Sequence, residues 1–164
     1  MVNDLVDSME LDSGVPCEWQ DKETIYREAD VISIHVPLTT TTRDMISRTE
    51  LEMMKPDAVL INTARGEIVN EAALFETLKN SLIAGAAVDT FEQEPYVGPL
   101  ATLDRCLLTA HMGSMSRDCR ARMEIEATRE AVRFLMGEPL MQQVPEDEYD
   151  NQRLTSAQRE SSDG

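Results

Sequence analysis

The sequence is poor in aromatic residues and in cysteine. Only 4% of its 164 residues are aromatic although 41% are hydrophobic, so the core it predicts is aliphatic and rich in methionine. The three cysteines, Cys17, Cys106 and Cys119, are odd in number and far apart, which fits neither a disulfide framework nor a zinc site. A reducing cytoplasm is therefore the expected location, and no bound metal is expected.

Positive charge is scarce as well. Lys and Arg number 15 against 31 Asp and Glu, which makes the formal net charge −16. Nucleic acids and anionic membranes attract basic surfaces, so we expect this chain to bind neither. No apolar run approaches the roughly 18 residues of a membrane span, and the acidic first residues lack the pattern of a signal peptide.

Short apolar runs alternate with segments of helical periodicity along the chain. The apolar runs predict four buried parallel strands, over 31–36, 58–63, 83–89 and 106–110. The helical segments cover 21–30, 70–81 and 116–136, with one or two short helices expected in the connector 39–57, the last of them ended by Pro56. We expect Asp21 and Asn70 to be N-caps. In the last helix an apolar stripe recurs at alternating spacings of four and three, formed by Ala121, Ile125, Thr128, Val132 and Leu135.

The alternation of strands and helices predicts right-handed βαβ units in an α/β, Rossmann-like, doubly wound parallel sheet. A dinucleotide-binding sheet normally begins with a strand, a G-x-G-x-x-G turn and a helix. None of the seven glycines forms that turn. The fold is therefore expected to be incomplete, with its first βα unit upstream of Met1.

Charged side chains come directly after three successive predicted strands. Arg65 follows the second strand, Asp89 and Glu94 follow the third, and His111 follows the fourth. Because ligands gather beyond the carboxyl ends of parallel strands, we expect these side chains to face one crevice. Each also fits a structural role when taken alone: Arg65 could cap a carbonyl, Glu94 could lie on a loop surface, and His111 could be a hydrogen-bonded core histidine.

These residue types together suit a definite chemistry. Histidine exchanges a proton near neutral pH, and the planar fork of arginine matches a carboxylate. We interpret Arg65 as the group that holds the carboxylate of an acid bearing an oxygen at C2, while His111 and Glu94 handle the hydroxyl proton. Such a site supplies no hydride acceptor, so a nicotinamide cofactor is required.

Three long segments at these residues carry a family resemblance: ADVISIHVPLTTTTRDMI, LINTARGEIVNEAALFETLKNSLIAGAAVDTFEQEP and LLTAHMGSMS. In order and spacing they resemble the NAD-binding domain of the D-isomer-specific 2-hydroxyacid dehydrogenases. Within that family they resemble the phosphoglycerate dehydrogenase-like and the glyoxylate or hydroxypyruvate reductase-like members. The resemblance covers about Ala29 to Leu135, and it extends more weakly to the N-terminus.

The resemblance implies a role for each matched residue. Arg65 matches the substrate-binding catalytic arginine, His111 matches the proton donor, and Glu94 matches the glutamate paired with it. The positions matching the family's cofactor lining are Asp4, Val36, Thr63, Ala64, Arg65, Asp89, His111, Gly113 and Ser114. A carboxylate at Asp4 would repel a 2′-phosphate, which implies NAD rather than NADP. His35 is interpreted as structural, on the cofactor side.

The resemblance also shapes the expected domains and partners. Residues 1–139 are expected to form a partial NAD-binding domain, and the acidic, aperiodic 140–164 a disordered tail. The family's substrate domain would precede Met1, so the isolated chain is expected to be weakly active or inactive. Expected partners are a small 2-hydroxy or 2-oxo acid and a second copy in a homodimer. A non-catalytic binding or regulatory protein on the same fold, and a truncated gene product, stay open as alternatives.

Overall fold

The computed structural model describes residues 1–4, 17–141 and 143. Most of the tail predicted to be disordered, 140–164, lies outside the described residues. The elements run in the order α1 (Lys22–Glu28), β1 (Val31–Ile34), α2 (Arg48–Met53), β2 (Val59–Asn62), α3 (Glu71–Lys79), β3 (Gly85–Val88), a 3₁₀ helix (Pro99–Thr102), β4 (Cys106–Leu108) and α4 (Arg117–Leu135).

The four strands form one parallel sheet in the order β1-β2-β3-β4. The α/β, Rossmann-like architecture and the four predicted strands are thereby confirmed. Each strand steps to the next in the same direction, and right-handed crossovers then place the connecting helices on one face. Accordingly α1 packs against α2, and α2 packs against α3.

The core lies between the sheet and these three helices. Ile32, Leu60 and Ala86 are neighbours across β1, β2 and β3, and all three are buried. Strand side chains alternate between the two faces, so the residues between these point away from the helices. We call this second side the open face; it consists of Val31, Ser33, Val59, Ile61, Ala87 and Leu107. Val31 is 57% exposed and Leu107 is 66% exposed, although both faces of a parallel sheet are normally covered.

The helix boundaries agree with the predicted caps. The side chain of Asp21 accepts a hydrogen bond from the Thr24 N–H at 2.7 Å, and that of Asn70 accepts one from the Ala73 N–H at 2.9 Å. The connector holds a single α-helix, α2, with Met54 as its C-cap two residues before Pro56. The backbone before a proline is disfavoured in the helical region, which accounts for this end.

Helix α4 extends from the domain without burying any of its residues. Ser116 caps it, as predicted for the helix over 116–136, by accepting a hydrogen bond from the Cys119 N–H at 3.2 Å. The predicted apolar stripe is exposed, most of all at Leu135, which is 82% accessible. In the described residues, no helix has the length and apolar character that crossing a membrane would require.

Candidate active site

A buried asparagine shapes the turn that carries Arg65. Asn62 is the last residue of β2, and its side-chain amide donates to the Arg65 carbonyl at 2.9 Å. Its side-chain oxygen accepts from the Ala64 N–H at 3.1 Å. The strand therefore ends in an asparagine-closed turn, a typical use of this residue. Asn62 was not among the predicted site residues, although a polar residue at the end of an apolar run was a usable signal.

Gly66 joins this turn to the loop after β3. A Cβ atom on Gly66 would lie 2.1 Å from the Phe91 carbonyl oxygen and 2.7 Å from the Glu92 nitrogen. Only glycine allows two backbones to approach so closely. The loops that carry Arg65 and Glu94 are therefore packed against each other, a contact that no local sequence pattern announces.

Glu94 and His111 form the central pair of the site. The Nδ1 atom of His111 lies 3.1 Å from Oε2 of Glu94, and the other carboxylate oxygen accepts from the Phe91 N–H at 3.1 Å. These hydrogen bonds, that of Phe91 first, lower the pKa of the Glu94 carboxyl, which is therefore ionised at neutral pH. The side chains of His111 and Glu94 are 45% and 38% exposed. With Nδ1 held by the carboxylate, Nε2 is the ring nitrogen left to exchange a proton with another molecule.

Asp89 holds the loop that carries His111. Its carboxylate accepts hydrogen bonds from the Thr109 hydroxyl, from the Met112 N–H at 2.8 Å and from the Gly113 N–H at 3.0 Å. The backbone N–H of His111 donates to the Asp89 carbonyl at 2.7 Å. The φ angle of His111 is 52°, in the left-handed region that non-glycine residues rarely adopt. The aspartate thus stabilises the loop conformation that presents the imidazole.

The ionisation of Asp89 reflects the same contacts. Burial raises the pKa of a carboxyl, but the hydrogen bonds from Thr109, Met112 and Gly113 and the nearby His111 outweigh that effect and lower the pKa. Both oxygens are therefore engaged inside the loop. The implied placement of Asp89 beside the cofactor stays a prediction, whereas its contacts with the loop are observed.

Arg65 lies at the same edge of the sheet, in the loop after β2. Its side chain is exposed, and its Nη1 atom donates to the Ala64 carbonyl at 2.6 Å. Within the described residues, no hydrogen bond connects it to Glu94 or His111. The fold thus brings two of the three predicted catalytic residues into contact and places the third at the end of a neighbouring strand.

Apart from Arg65, Asp89 and His111, the predicted cofactor positions divide into two groups. Thr63, Ala64, Gly113 and Ser114 lie in the loops after β2 and β4, where Thr63 and Gly113 are exposed. The second group, Asp4 and Val36, lines a groove on the outer side of β1 together with His35, which is interpreted as structural. In this groove the His35 ring is hydrogen-bonded to the Ser33 hydroxyl at 2.8 Å.

The model of the D-isomer specific 2-hydroxyacid dehydrogenase NAD-binding domain matches residues 3–113. The chain belongs to the D-isomer-specific 2-hydroxyacid dehydrogenase family. The resemblance inferred from the three sequence segments is thereby confirmed. The matched domain is the NAD-binding domain of this family, in agreement with the implied cofactor.

Relatives within the family include reductases of small acids. The glyoxylate reductase of Thermococcus litoralis is 42% identical over 130 residues, which are 79% of this chain and 39% of that protein. The hydroxypyruvate reductase of Thermotoga maritima is 36% identical over 124 residues, 73% of this chain and 40% of that protein. The chain therefore spans about two fifths of the length of these relatives.

A similar solved structure is the D-lactate dehydrogenase of Lactobacillus jensenii with NAD⁺. Its TM-score to this chain is 0.75 at 30% sequence identity, and the match covers 87% of this chain and 47% of that chain.

The contact between Gly66 and Phe91 predicts the effect of a single added methyl group. Gly66→Ala should lower the free energy of unfolding by about 1–3 kcal/mol, because the new Cβ must displace backbone atoms. Gly113→Ala is a matched control, since its Cβ would meet only a side-chain oxygen at 3.5 Å; it should cost about 0.5 kcal/mol or less. Urea denaturation measures both, and equal losses would contradict the close approach.

The hydrogen bonds of Asp89 predict a pH-dependent stabilisation. In Asp89→Asn the side-chain NH₂ group faces the N–H of Met112 or of Gly113, and neither group can accept a hydrogen bond. The free energy of unfolding should therefore fall by about 1–3 kcal/mol at pH 7. Because the folded-state pKa is lowered, the carboxylate stabilises the fold above its ordinary pKa of about 3.9 and loses this effect as the pH falls through the lowered value. The difference between the two proteins should therefore stay constant from pH 7 down to about pH 4 and shrink as the pH is lowered further in urea denaturation. A difference that stays constant at the lower pH as well would contradict the assignment.

Proposed function

We propose that this chain carries the proton-transfer and carboxylate-binding groups of an NAD-linked reductase that interconverts 2-oxo acids and D-2-hydroxy acids. The observation that supports it most directly is the pair of His111 and Glu94, at 3.1 Å, beyond the carboxyl ends of the strands. The names of the relatives suggest glyoxylate or hydroxypyruvate as the 2-oxo acid. A homodimer and a cytoplasmic location remain predictions.

In this proposal each residue of the site has one task. In the reductive direction, Nε2 of protonated His111 gives a proton to the C2 oxygen, and the ionised Glu94 stabilises the imidazolium from the Nδ1 side. Arg65 binds the substrate carboxylate through its two-pronged guanidinium. Because Arg65 is exposed and its guanidinium is hydrogen-bonded to a neighbouring carbonyl, it can exchange that bond for one to the substrate at little cost.

The loops after β2 and β4 fit the nicotinamide end of NAD. Ala64 and Ser114 have small side chains and Gly113 has none, which leaves room for a flat ring, and the exposed Thr63 offers a hydroxyl for a polar contact. Bound NADH would supply the hydride. The sequence contains no G-x-G-x-x-G turn for the pyrophosphate. We therefore expect this chain alone to bind the cofactor weakly, with the preference for NAD over NADP resting on Asp4.

The exposure of the site predicts low activity for the isolated chain. In the described residues His111 and Arg65 are exposed to water. A reductase site must exclude water during hydride transfer. With NADH and either glyoxylate or hydroxypyruvate, turnover should lie at least about a hundredfold below the median enzyme value of about 10 s⁻¹. The measurement is NADH oxidation followed by its near-ultraviolet absorbance, and turnover near the median enzyme value would contradict this expectation.

The roles are tested in a chimera. Residues 1–139 replace the matching segment of the Thermococcus litoralis glyoxylate reductase. In an active chimera, His111→Ala and Arg65→Ala should each lower kcat/KM by a factor on the order of 10²–10⁴. Arg105→Ala is the matched control, because Arg105 is an exposed arginine at the opposite end of β4 and should leave kcat/KM within about twofold.

The chimera also separates catalysis from binding. In His111→Ala the loss should appear mainly in kcat, because the imidazole acts on the substrate oxygen, and the affinity for NADH is measured separately. If both site variants kept kcat/KM within about threefold of the parent, the proposed roles would be wrong, and a non-catalytic binding protein on this fold would be the better description.

A further inference from the structure

Glu67, two residues after Arg65, has an uncommon backbone conformation. Its φ angle is 64°, and that of Asp44, in the loop after β1, is 50°. Both angles lie in the left-handed region, which residues other than glycine rarely adopt and which is enriched at active sites and ligand clamps. The two residues also contact each other, because the Asp44 N–H donates to the Glu67 carbonyl at 2.7 Å. This contact joins the loop after β1 to the segment that follows Arg65.

Backbone hydrogen bonds extend the contact into a short ladder. The Ile46 N–H donates to the Ile68 carbonyl at 3.1 Å, and the Asn70 N–H donates to the Ile46 carbonyl at 2.9 Å. Ile46 and Ile68 are buried in the core. The side-chain amide of Asn70 donates to the Asp44 carboxylate at 3.0 Å. Core packing and these hydrogen bonds therefore hold the backbone of the segment without an ion pair.

An ion pair nevertheless joins the same two segments. Nη1 of Arg43 contacts the Glu67 carboxylate, and the two side chains are 31% and 18% exposed. In the ion pair of Arg48 and Glu52 on α2, the exposed fractions are 79% and 55%. Water and salt screen a partly buried pair less than an exposed one. The charge of Glu67 is therefore the more strongly coupled to its arginine.

The position of Glu67 gives this ion pair a consequence for Arg65. Only Gly66 separates the two residues, and the Arg65 guanidinium donates to the Ala64 carbonyl at 2.6 Å. A hydrogen bond from a guanidinium to a carboxylate is roughly twice as strong as a neutral one. The Glu67 carboxylate is therefore a local competitor for Arg65, and its contact with Arg43 directs it towards the loop after β1 instead.

We propose that Arg43 is a positioning residue for Arg65. By engaging the Glu67 carboxylate, Arg43 prevents an anion of the chain itself from binding the guanidinium that a substrate carboxylate needs. This role rests on the proposed binding of the 2-oxo acid carboxylate by Arg65. Because the backbone ladder holds the segment by itself, the loss of Arg43 should affect anion binding at Arg65 more than the fold.

Hydrogen exchange at the Arg65 side chain tests the proposal in the full 164-residue chain. Arg43→Met removes the charge and keeps a side chain of similar length. Exchange of the Arg65 Nε–H, followed by NMR, should then slow at least about threefold, because Glu67 now accepts from this guanidinium. In Arg43→Met/Glu67→Gln the rate should return to within about 1.5-fold of the parent, since an amide is a weaker acceptor than a carboxylate. Unchanged exchange in Arg43→Met would overturn the proposal, and this measurement does not depend on activity.

Steady-state kinetics of the chimera with glyoxylate and NADH test the consequence for the substrate. At an ionic strength of about 0.01 M, Arg43→Met should raise KM for glyoxylate at least about threefold and leave kcat within about 1.5-fold, because competition at Arg65 weakens ground-state and transition-state binding alike. At about 1 M the Debye length falls from about 30 Å to about 3 Å, so the KM values of variant and parent should converge. Adding Glu67→Gln to Arg43→Met should restore KM at low salt.

Two single variants separate this role from a structural one. Glu67→Gln alone removes the competitor, so KM should stay within about 1.5-fold of the parent or fall. An ion pair that only stabilises the fold predicts a loss in this variant too. Arg48→Met is the matched control, because it removes the exposed ion pair of α2 in the same connector; it should leave both KM and exchange at Arg65 within about 1.5-fold.

The outcomes distinguish this role from the proposed function. A KM that rises as much in Glu67→Gln as in Arg43→Met, or that the double variant does not restore, would overturn the proposal. If Arg65→Ala lowers kcat/KM while Arg43→Met has no effect, only the role of Arg43 is wrong. If Arg65→Ala has no effect either, the carboxylate-binding role of Arg65 is wrong, and the role of Arg43 is wrong with it.

Discussion

The buried carboxylate of Asp89 connects the sheet to the chemistry. It stands at the end of β3 and accepts hydrogen bonds from the loop after β4, at Thr109, Met112 and Gly113. Without these bonds, the left-handed backbone of His111 would lose the contacts that maintain it. The placement of His111 beside Glu94 therefore depends on a residue that contacts the loop of the imidazole through its backbone.

The parallel register explains why separate loops meet. Three adjacent strands end at one edge, and the loops after them carry Arg65, Glu94 and His111. Because Gly66 has no side chain, the loops after β2 and β3 can touch. Asn62 shapes the turn after β2 that carries Arg65. A rigid sheet with short hydrogen-bonded loops is a suitable support for groups that must keep a fixed geometry.

Much of the fold and part of the site were predictable from local patterns. Apolar β-branched runs identified the strands, and Asp21 and Asn70 were identified as caps because capping depends on neighbours three residues away. The observed strands are shorter than the predicted runs: β2 ends at Asn62, whose side chain closes the following turn, and β3 ends at Val88, just before Asp89 with its contacts to the loop after β4. Gly66 was missed because its partner, Phe91, is distant in sequence.

The α/β class, the chain order of the strands and the residue types at their ends were all readable in the amino-acid sequence. These features depend on hydrophobic periodicity and on short-range hydrogen bonds, which a single chain displays directly. Which side chains meet was settled only when the chain folded. Folding joined His111 to Glu94, hydrogen-bonded Arg65 to the Ala64 carbonyl and engaged Asp89 in the loop. It left one sheet face and the edge of β1 uncovered in the described residues. Such contacts depend on the packing of segments far apart in the chain, which periodicity does not encode.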